Sequence, residues 1–321
     1  MSSYRKVNYS LRPAKHAHRR MMSEVLSCLY PFQPVREYQY VGFGSLWFED
    51  FKLFHRALGI KRMISLERSG AHERFLANRP FQSVDILFGE SNARLQEIDW
   101  KSPSILWLDY DAALSGSVLL DLEIAASQMS SGSLLAVTLN VEEAEEVKES
   151  ASQGEDTDVA LELFRSRFSD FFASKIFSDD LRNTPFRNLS FQIVTSKIEK
   201  ILATRNVGKA DVGEKLIVAN ICNFSYADGH SMATFVFLIF EEQHQEQYND
   251  CRFEQLDFLG AVGDLVKVLM PVMTLKEIRE VESQLPTDDV SSIKTDGVPE
   301  SDIKKFAKIY RYLPNFAVLE S

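Results

Sequence analysis

The chain has 321 residues, of which 45% are apolar and 26% charged, and its formal net charge is −10. This length suits one large domain with an appendage, or two domains, and no apolar run reaches the roughly 20 residues of a membrane helix. The N-terminus lacks a secretory pattern. The three cysteines, Cys28, Cys222 and Cys251, have the spacing of neither a disulfide framework nor a metal knuckle, so we expect a cytoplasmic protein.

The charge is unevenly distributed. Residues 1–20 contain no acid and six basic residues: Arg5, Lys6, Arg12, Lys15, Arg19 and Arg20. Taking these six positive charges from the net −10 leaves −16 for the rest of the chain. Two interpretations stay open: the basic arm meets an anionic partner, such as nucleic acid or a nucleotide, or it packs on the protein's own acidic surface.

Helical and strand-like patterns alternate in the first half of the chain. Residues 13–30 predict a helix that begins at Pro13. Short apolar runs then predict five strands, at Tyr38–Val41, Met63–Leu66, Val84–Phe88, Ile105–Leu108 and Leu134–Leu139. Helices are predicted between them, the first over Leu46–Leu58 and the last over Ser117–Met129. This alternation indicates an α/β fold with a parallel sheet.

The pattern changes after Asn140. An acidic stretch leads to a predicted amphipathic helix over Val159–Phe177, and two longer strands, Lys215–Tyr226 and Met232–Phe240, follow as a hairpin. Further helices are predicted at Phe253–Leu269, Leu275–Gln284 and Ser301–Tyr312. We therefore expect four parts: a basic helical arm (1–35), a Rossmann-like domain (36–245) with a seven-stranded, mostly parallel sheet, a variable substrate cover inside it (141–210), and a small helical C-terminal appendage (250–321) for partner contact or self-association.

Ligands of open parallel sheets bind at the carboxyl ends of the strands, which selects four turns. The first, Gly42-Phe43-Gly44-Ser45, follows a strand and precedes a helix, so its backbone can approach a ligand closely. The third glycine of a dinucleotide fingerprint is missing there, which disfavours a pyrophosphate. Glu67 ends the second strand, where a carboxylate can accept both hydroxyls of a ribose.

The other two turns are also polar. Glu90 and Ser91 follow the third strand, where they could hold an adenine amine. Asp109 and Asp111 follow the fourth, where an acid could act as a general base, hold a cation with Asn140, or merely cap the next helix. The spacing of the six histidines predicts no metal site.

This order of turns resembles class I S-adenosylmethionine-dependent methyltransferases, over residues 36–242. The resemblance implies that Gly42, Gly44 and Ser45 line the methionine part of the cofactor and that Glu67 binds its ribose. It also implies that Glu90 or Ser91 faces the adenine and that Asp109 lies beside the transferred methyl group. The Asp109-Tyr110-Asp111 turn is similar to that of cation-dependent O-methyltransferases, which favours an oxygen acceptor over a nitrogen acceptor, the alternative that stays open. The segments 11–15 and 43–48 also resemble bacterial O-methyltransferase-like proteins, some of them found near defence genes.

The chain departs from that family at one position. An acid usually precedes the first glycine, whereas Tyr40 and Val41 stand here. Three hypotheses follow: an active methyltransferase, an inactive methyltransferase-like protein that binds cofactor or a partner, and a Rossmann enzyme with another nucleoside cofactor. His230, at the hairpin turn, is an additional catalytic candidate.

Overall fold

A computed structural model describes residues 12–314 of the chain, and its centre is one eight-stranded sheet. The strands are β1 (Gln39–Gly42), β2 (Arg62–Glu67), β3 (Val84–Phe88), β4 (Ser104–Asp109), β5 (Ser133–Asn140), β6 (Leu216–Ala227), β7 (Ser231–Glu241) and β8 (Leu265–Val268). They lie in the order β3-β2-β1-β4-β5-β7-β6-β8. Only β7 among these runs antiparallel to its neighbours, so β1 to β5 end at the same edge of the sheet.

Helices cover both faces of the sheet. They are α1 (Pro13–Ser27), α2 (Glu49–Leu58), α3 (His72–Ala77), α4 (Ser91–Leu95), α5 (Gly116–Ala126), α6 (Glu145–Gln153), α7 (Thr157–Phe168), α8 (Asn183–Arg205), α9 (Gln245–Asp250), α10 (Leu275–Glu282) and α11 (Glu300–Ile309). None of these described helices, α8 included, is long and apolar enough to cross a bilayer.

The two faces separate because side chains alternate along each strand. In β4, Ile105 and Trp107 join the core beneath α1, α2 and α3, whereas Leu106 and Leu108 join the core beneath α4 to α8. The central strands β1, β4 and β5 lie between the two cores and are buried on both faces, as expected for a covered parallel sheet. The predicted α/β fold class is confirmed, with eight strands instead of seven.

The extra strand comes from a segment where we predict a helix, and that prediction is wrong. Within Phe253–Leu269 the structure has a short 3-10 turn and then β8, which pairs in parallel with β6. Gly260 and Gly263 interrupt any helix there, and Gly263 adopts a left-handed conformation (φ 88°). In β8 the buried Val266 and Val268 flank the exposed Lys267, which is the period-two pattern of a strand.

Helix boundaries also differ from prediction, and one helix is missed. Helix α2 begins at Glu49 because Ser45 and Phe48 have left-handed backbone conformations (φ 50° and 48°) that a helix does not accept. Helix α7 ends at Phe168 rather than Phe177, and α8, the longest at 23 residues, is not predicted at all. Helices α10 and α11 pack around a small apolar cluster of their own, which contains Val281, Ile293, Ile303 and Phe306.

Candidate active site at the carboxyl ends of the parallel strands

The loop after β1 packs tightly against its own protein. A methyl group added at Gly42 would lie 2.7 Å from the hydroxyl oxygen of Tyr40, and one added at Gly44 would lie 2.6 Å from Oγ of Ser65. These contacts are shorter than side-chain carbons allow, so both positions require glycine for packing alone.

Glu67 lies directly against this loop. Its carboxylate accepts the Ser65 hydroxyl at 3.0 Å, and that hydroxyl accepts the backbone N–H of Gly44 at 3.1 Å. Burial raises the pKa of Glu67 to about 7, although hydrogen bonds from Ser65 and from the backbone of Ser45 and Gly44 oppose the rise. The structure therefore brings together the residues predicted at the ends of β1 and β2.

The pair predicted after β3 separates. The side chain of Glu90 is exposed and lies 3.9 Å from that of Arg68, whereas the hydroxyl of Ser91 points inward and donates to Asp121 at 2.5 Å. The hydroxyl of Tyr110 donates to the same oxygen of Asp121, also at 2.5 Å. The other oxygen of Asp121 is buried without a hydrogen-bond partner among the described residues, and burial raises the pKa of this carboxyl.

A buried lysine meets Asp109 at the end of β4. Nζ of Lys15, from α1, lies 2.5 Å from Oδ1 of Asp109 and donates to the hydroxyl of Tyr226 at 2.8 Å. The side chain of Lys15 is only 4% exposed, while that of Asp109 is 23% exposed. Burial lowers the pKa of Lys15, and the attraction of Asp109 opposes this. Asp109 thus combines a fixed orientation with a carboxylate that solvent or a ligand can reach.

The β6–β7 hairpin holds the start of α1. Asp228, in its turn, accepts the backbone N–H of Lys15 at 2.8 Å and that of Ala14 at 3.4 Å. It therefore caps the helix, although it stands 213 residues from Lys15 in the chain. Two contacts of the same hairpin, Asp228 and Tyr226, thus fix the position of Lys15.

One comparison with known proteins decides the family. The family described as "Putative O-methyltransferase" matches residues 7–321. The chain belongs to this family. No curated protein matches it.

Several solved structures share parts of the fold. An O-methyltransferase from Bacillus cereus in complex with SAH is 14% identical, with 74% of this chain and 84% of that chain covered and a TM-score of 0.37. An O-methyltransferase family protein from Burkholderia thailandensis is 12% identical, with 69% and 56% covered and a TM-score of 0.34. LepI in complex with SAM is 11% identical, with 67% and 46% covered and a TM-score of 0.37. The chain thus spans about half the length of LepI.

Sequence reasoning about this O-methyltransferase-family chain misses four residues of the site: Lys15, Asp50, Tyr226 and Asp228. Asp50 is buried in α2 and accepts a short hydrogen bond from the hydroxyl of Tyr40. A signal existed only for Lys15, which belongs to the segment 11–15 quoted for the resemblance. The others meet the site through tertiary contacts that spacing along the chain does not reveal.

The remaining candidates make other contacts. His230 is exposed and pairs with Glu142 at 2.9 Å, while the side-chain oxygen of Asn140 accepts the backbone N–H of Glu142 at 3.0 Å. Asp111 is exposed just beyond Asp109. Within residues 12–314, no group of three metal-ligating side chains is close enough to hold an ion.

The basic arm is only partly at the surface. Lys15 and Arg19 are buried, so neither can belong to a nucleic-acid-binding face. Arg5 and Lys6 lie outside the described residues. The burial of Lys15 and Arg19 agrees, for these two residues, with the interpretation that the arm packs onto its own protein.

Proposed function

We propose that this chain transfers the methyl group of S-adenosylmethionine to an oxygen atom of an acceptor. The observation that carries the proposal is the ion pair between Lys15 and Asp109 at the end of β4, beside the strand that leads into the glycine loop. Membership of an O-methyltransferase family supports it, as does a sheet in which the antiparallel β7 lies between β5 and β6.

The residues at the neighbouring strand ends suit such a cofactor. Glu67 offers carboxylate oxygens to the two ribose hydroxyls, with Gly42, Gly44 and Ser45 along the methionine part. We assign Ser91, whose hydroxyl is held by Asp121, and the exposed Glu90 to the adenine. When bound, the cofactor supplies an electrophilic methyl group.

Asp109 is the residue we assign to the acceptor. Its partly exposed carboxylate can take the proton of an attacking hydroxyl group, and a positioned carboxylate of this kind acts as a general base. Lys15 holds the carboxylate in one orientation. Asp111, exposed two residues beyond Asp109, is the second acid that we assign to the acceptor.

An inactive, cofactor-binding relative is the alternative, with a possible place in bacterial defence as the resemblance suggests. The occupied oxygen of Asp109 favours it, because Lys15 already uses Oδ1. Under both proposals the protein is cytoplasmic. The half-buried Arg12 and Arg20 of the basic arm can then meet nucleic acid or a nucleotide, and the C-terminal appendage can contact a protein partner.

Calorimetric titration with S-adenosylmethionine, S-adenosylhomocysteine and NAD tests the proposal. Micromolar binding of the first two, about −8 kcal/mol, and none of NAD is the expected result. Asp109→Ala should then keep cofactor binding and lose transfer in a screen of hydroxyl acceptors. Binding of NAD alone would refute S-adenosylmethionine as the cofactor. Binding of S-adenosylmethionine without turnover in the wild-type protein would favour the inactive alternative.

A further inference from the structure

Arg19 of α1 has an unusual environment. The residue is 7% exposed, and its Nε is buried with no hydrogen-bond partner among the described residues. A buried guanidinium donor without an acceptor is costly, because it has lost water and gained nothing in exchange. Such a group is expected to meet an acceptor that residues 12–314 do not supply.

An acid of opposite charge lies close by. Asp50 is buried in α2, and its carboxylate accepts the hydroxyl of Tyr40. Burial raises the pKa of Asp50, while the guanidinium of Arg19 opposes the rise. No ion pair within 4 Å joins these two described residues, so neither charge is neutralised by direct contact with the other.

Both groups belong to the edge where the glycine loop begins. The Tyr40 hydroxyl that binds Asp50 is also the atom that a methyl group at Gly42 would meet at 2.7 Å. Asp50 further contributes to the raised pKa of Glu67, after burial, and Asp109 contributes in the same way to that of Asp50. Asp50 is therefore close enough to the acids that end β2 and β4 to interact with both.

Lys15, the neighbouring cation, is already occupied. Its ammonium group donates to Asp109 and to Tyr226. Arg19 lies one helical turn farther along α1, and its planar guanidinium suits a carboxylate better than an ammonium does.

We infer that Arg19 and Asp50 together bind the amino-acid end of the cofactor, with Arg19 on its carboxylate and Asp50 on its ammonium group. This inference rests on the proposed function. The resemblance leads us to expect an acid before the first glycine, where Tyr40 and Val41 stand instead. Asp50 supplies that acid from α2, and Tyr40 holds it in place. The binding site for the amino acid is thus built by two helices rather than by strand β1.

The test compares two ligands on the full chain by calorimetry. S-adenosylhomocysteine carries the amino-acid end, whereas 5′-methylthioadenosine has the same nucleoside and thioether without it. Arg19→Met should weaken S-adenosylhomocysteine about tenfold or more and leave 5′-methylthioadenosine unchanged. Asp50→Asn, which can still accept from Tyr40, should do the same. Arg20→Met, an equal loss of charge on the same helix, is the matched control and should change neither.

The outcomes separate the inference from the function it rests on. If Arg19→Met weakens the binding of both ligands equally, Arg19 only supports the fold of the site. If it changes the binding of neither, Arg19 does not belong to the site. Either result overturns the inference alone. Failure of the wild-type protein to bind either ligand would overturn the proposed function as well. Thermal melts without ligand exclude misfolding, because Arg19→Met removes a buried donor that has no partner and should not lower the melting temperature.

Discussion

Replacing Glu67 by Gln should remove a penalty that the native protein carries at neutral pH. Burial raises the pKa of this carboxyl from an ordinary value of 4.5 to about 7. Between these values the native state binds more protons than the unfolded state, so the contribution of Glu67 to stability falls as the pH rises. Above pH 7 the penalty is fully present, because the buried carboxyl must then ionise.

The size of the effect follows from the two pKa values. For a shift from 4.5 to about 7, the free energy of unfolding should fall by about 2.5 kcal/mol between pH 5 and pH 8 on account of Glu67. Gln stands in for the neutral carboxyl and lacks this dependence. Glu67→Gln should therefore gain about that much stability relative to wild type on going from pH 5 to pH 8.

Urea denaturation of both proteins at several pH values measures this difference. Glu73→Gln, which changes an exposed carboxyl on α3, is the control and should follow the wild-type curve. The stability difference between Glu67→Gln and wild type should change across this pH range. A constant difference would show that the pKa of Glu67 is not raised by burial.

Further predictions concern the same edge of the sheet. Affinity for S-adenosylhomocysteine should fall about tenfold from pH 8 to pH 6 as Glu67 takes up its proton, and Glu67→Gln should abolish this dependence in calorimetry. Gly44→Ala should cost about 1–3 kcal/mol in urea denaturation because of its contact with Ser65. Gly116→Ala, which meets nothing within 4 Å, should stay within about 0.5 kcal/mol; equal costs would refute the packing argument. Lys15→Met should lower the rate of methyl transfer about 100-fold in a methylation assay while cofactor binding persists. Full activity of this variant would show that Asp109 does not depend on the ion pair.

The strand ends could be predicted from the sequence because local patterns determine them. Apolar runs that stop at Gly42, Glu67 and Asp109 mark strands whose carboxyl ends share one edge, and the structure places all three there. The local sequence does not determine the orientation of a side chain at such a strand end. Glu90 and Ser91 are adjacent in sequence, yet only Ser91 finds an inward partner, in a helix 30 residues later.

The missed parts of the site depend on distant packing. Nothing near Arg19 or Asp50 in the sequence shows that the two helices carrying them meet over β1. Both look like ordinary charges on amphipathic helices, and only burial in the fold distinguishes them. The helix wrongly predicted over 253–269 has a related cause. A four-residue strand at a sheet edge is too short for its period-two pattern to be recognised among the residues that flank it.

The capping of α1 by the hairpin has a consequence for the order of folding. The contacts of Lys15 with Asp109 and of Ala14 with Asp228 close loops of 94 and 214 residues. Loops of this length form late, because the entropy of closing them is lost before the contact is gained. During synthesis α1 is made before all its partners, so it must wait until the β6–β7 hairpin exists. The ion pair between Lys15 and Asp109 is therefore among the last contacts to form, and a chain stalled before residue 228 carries β1 to β5 but not the hairpin turn that holds Lys15 beside Asp109.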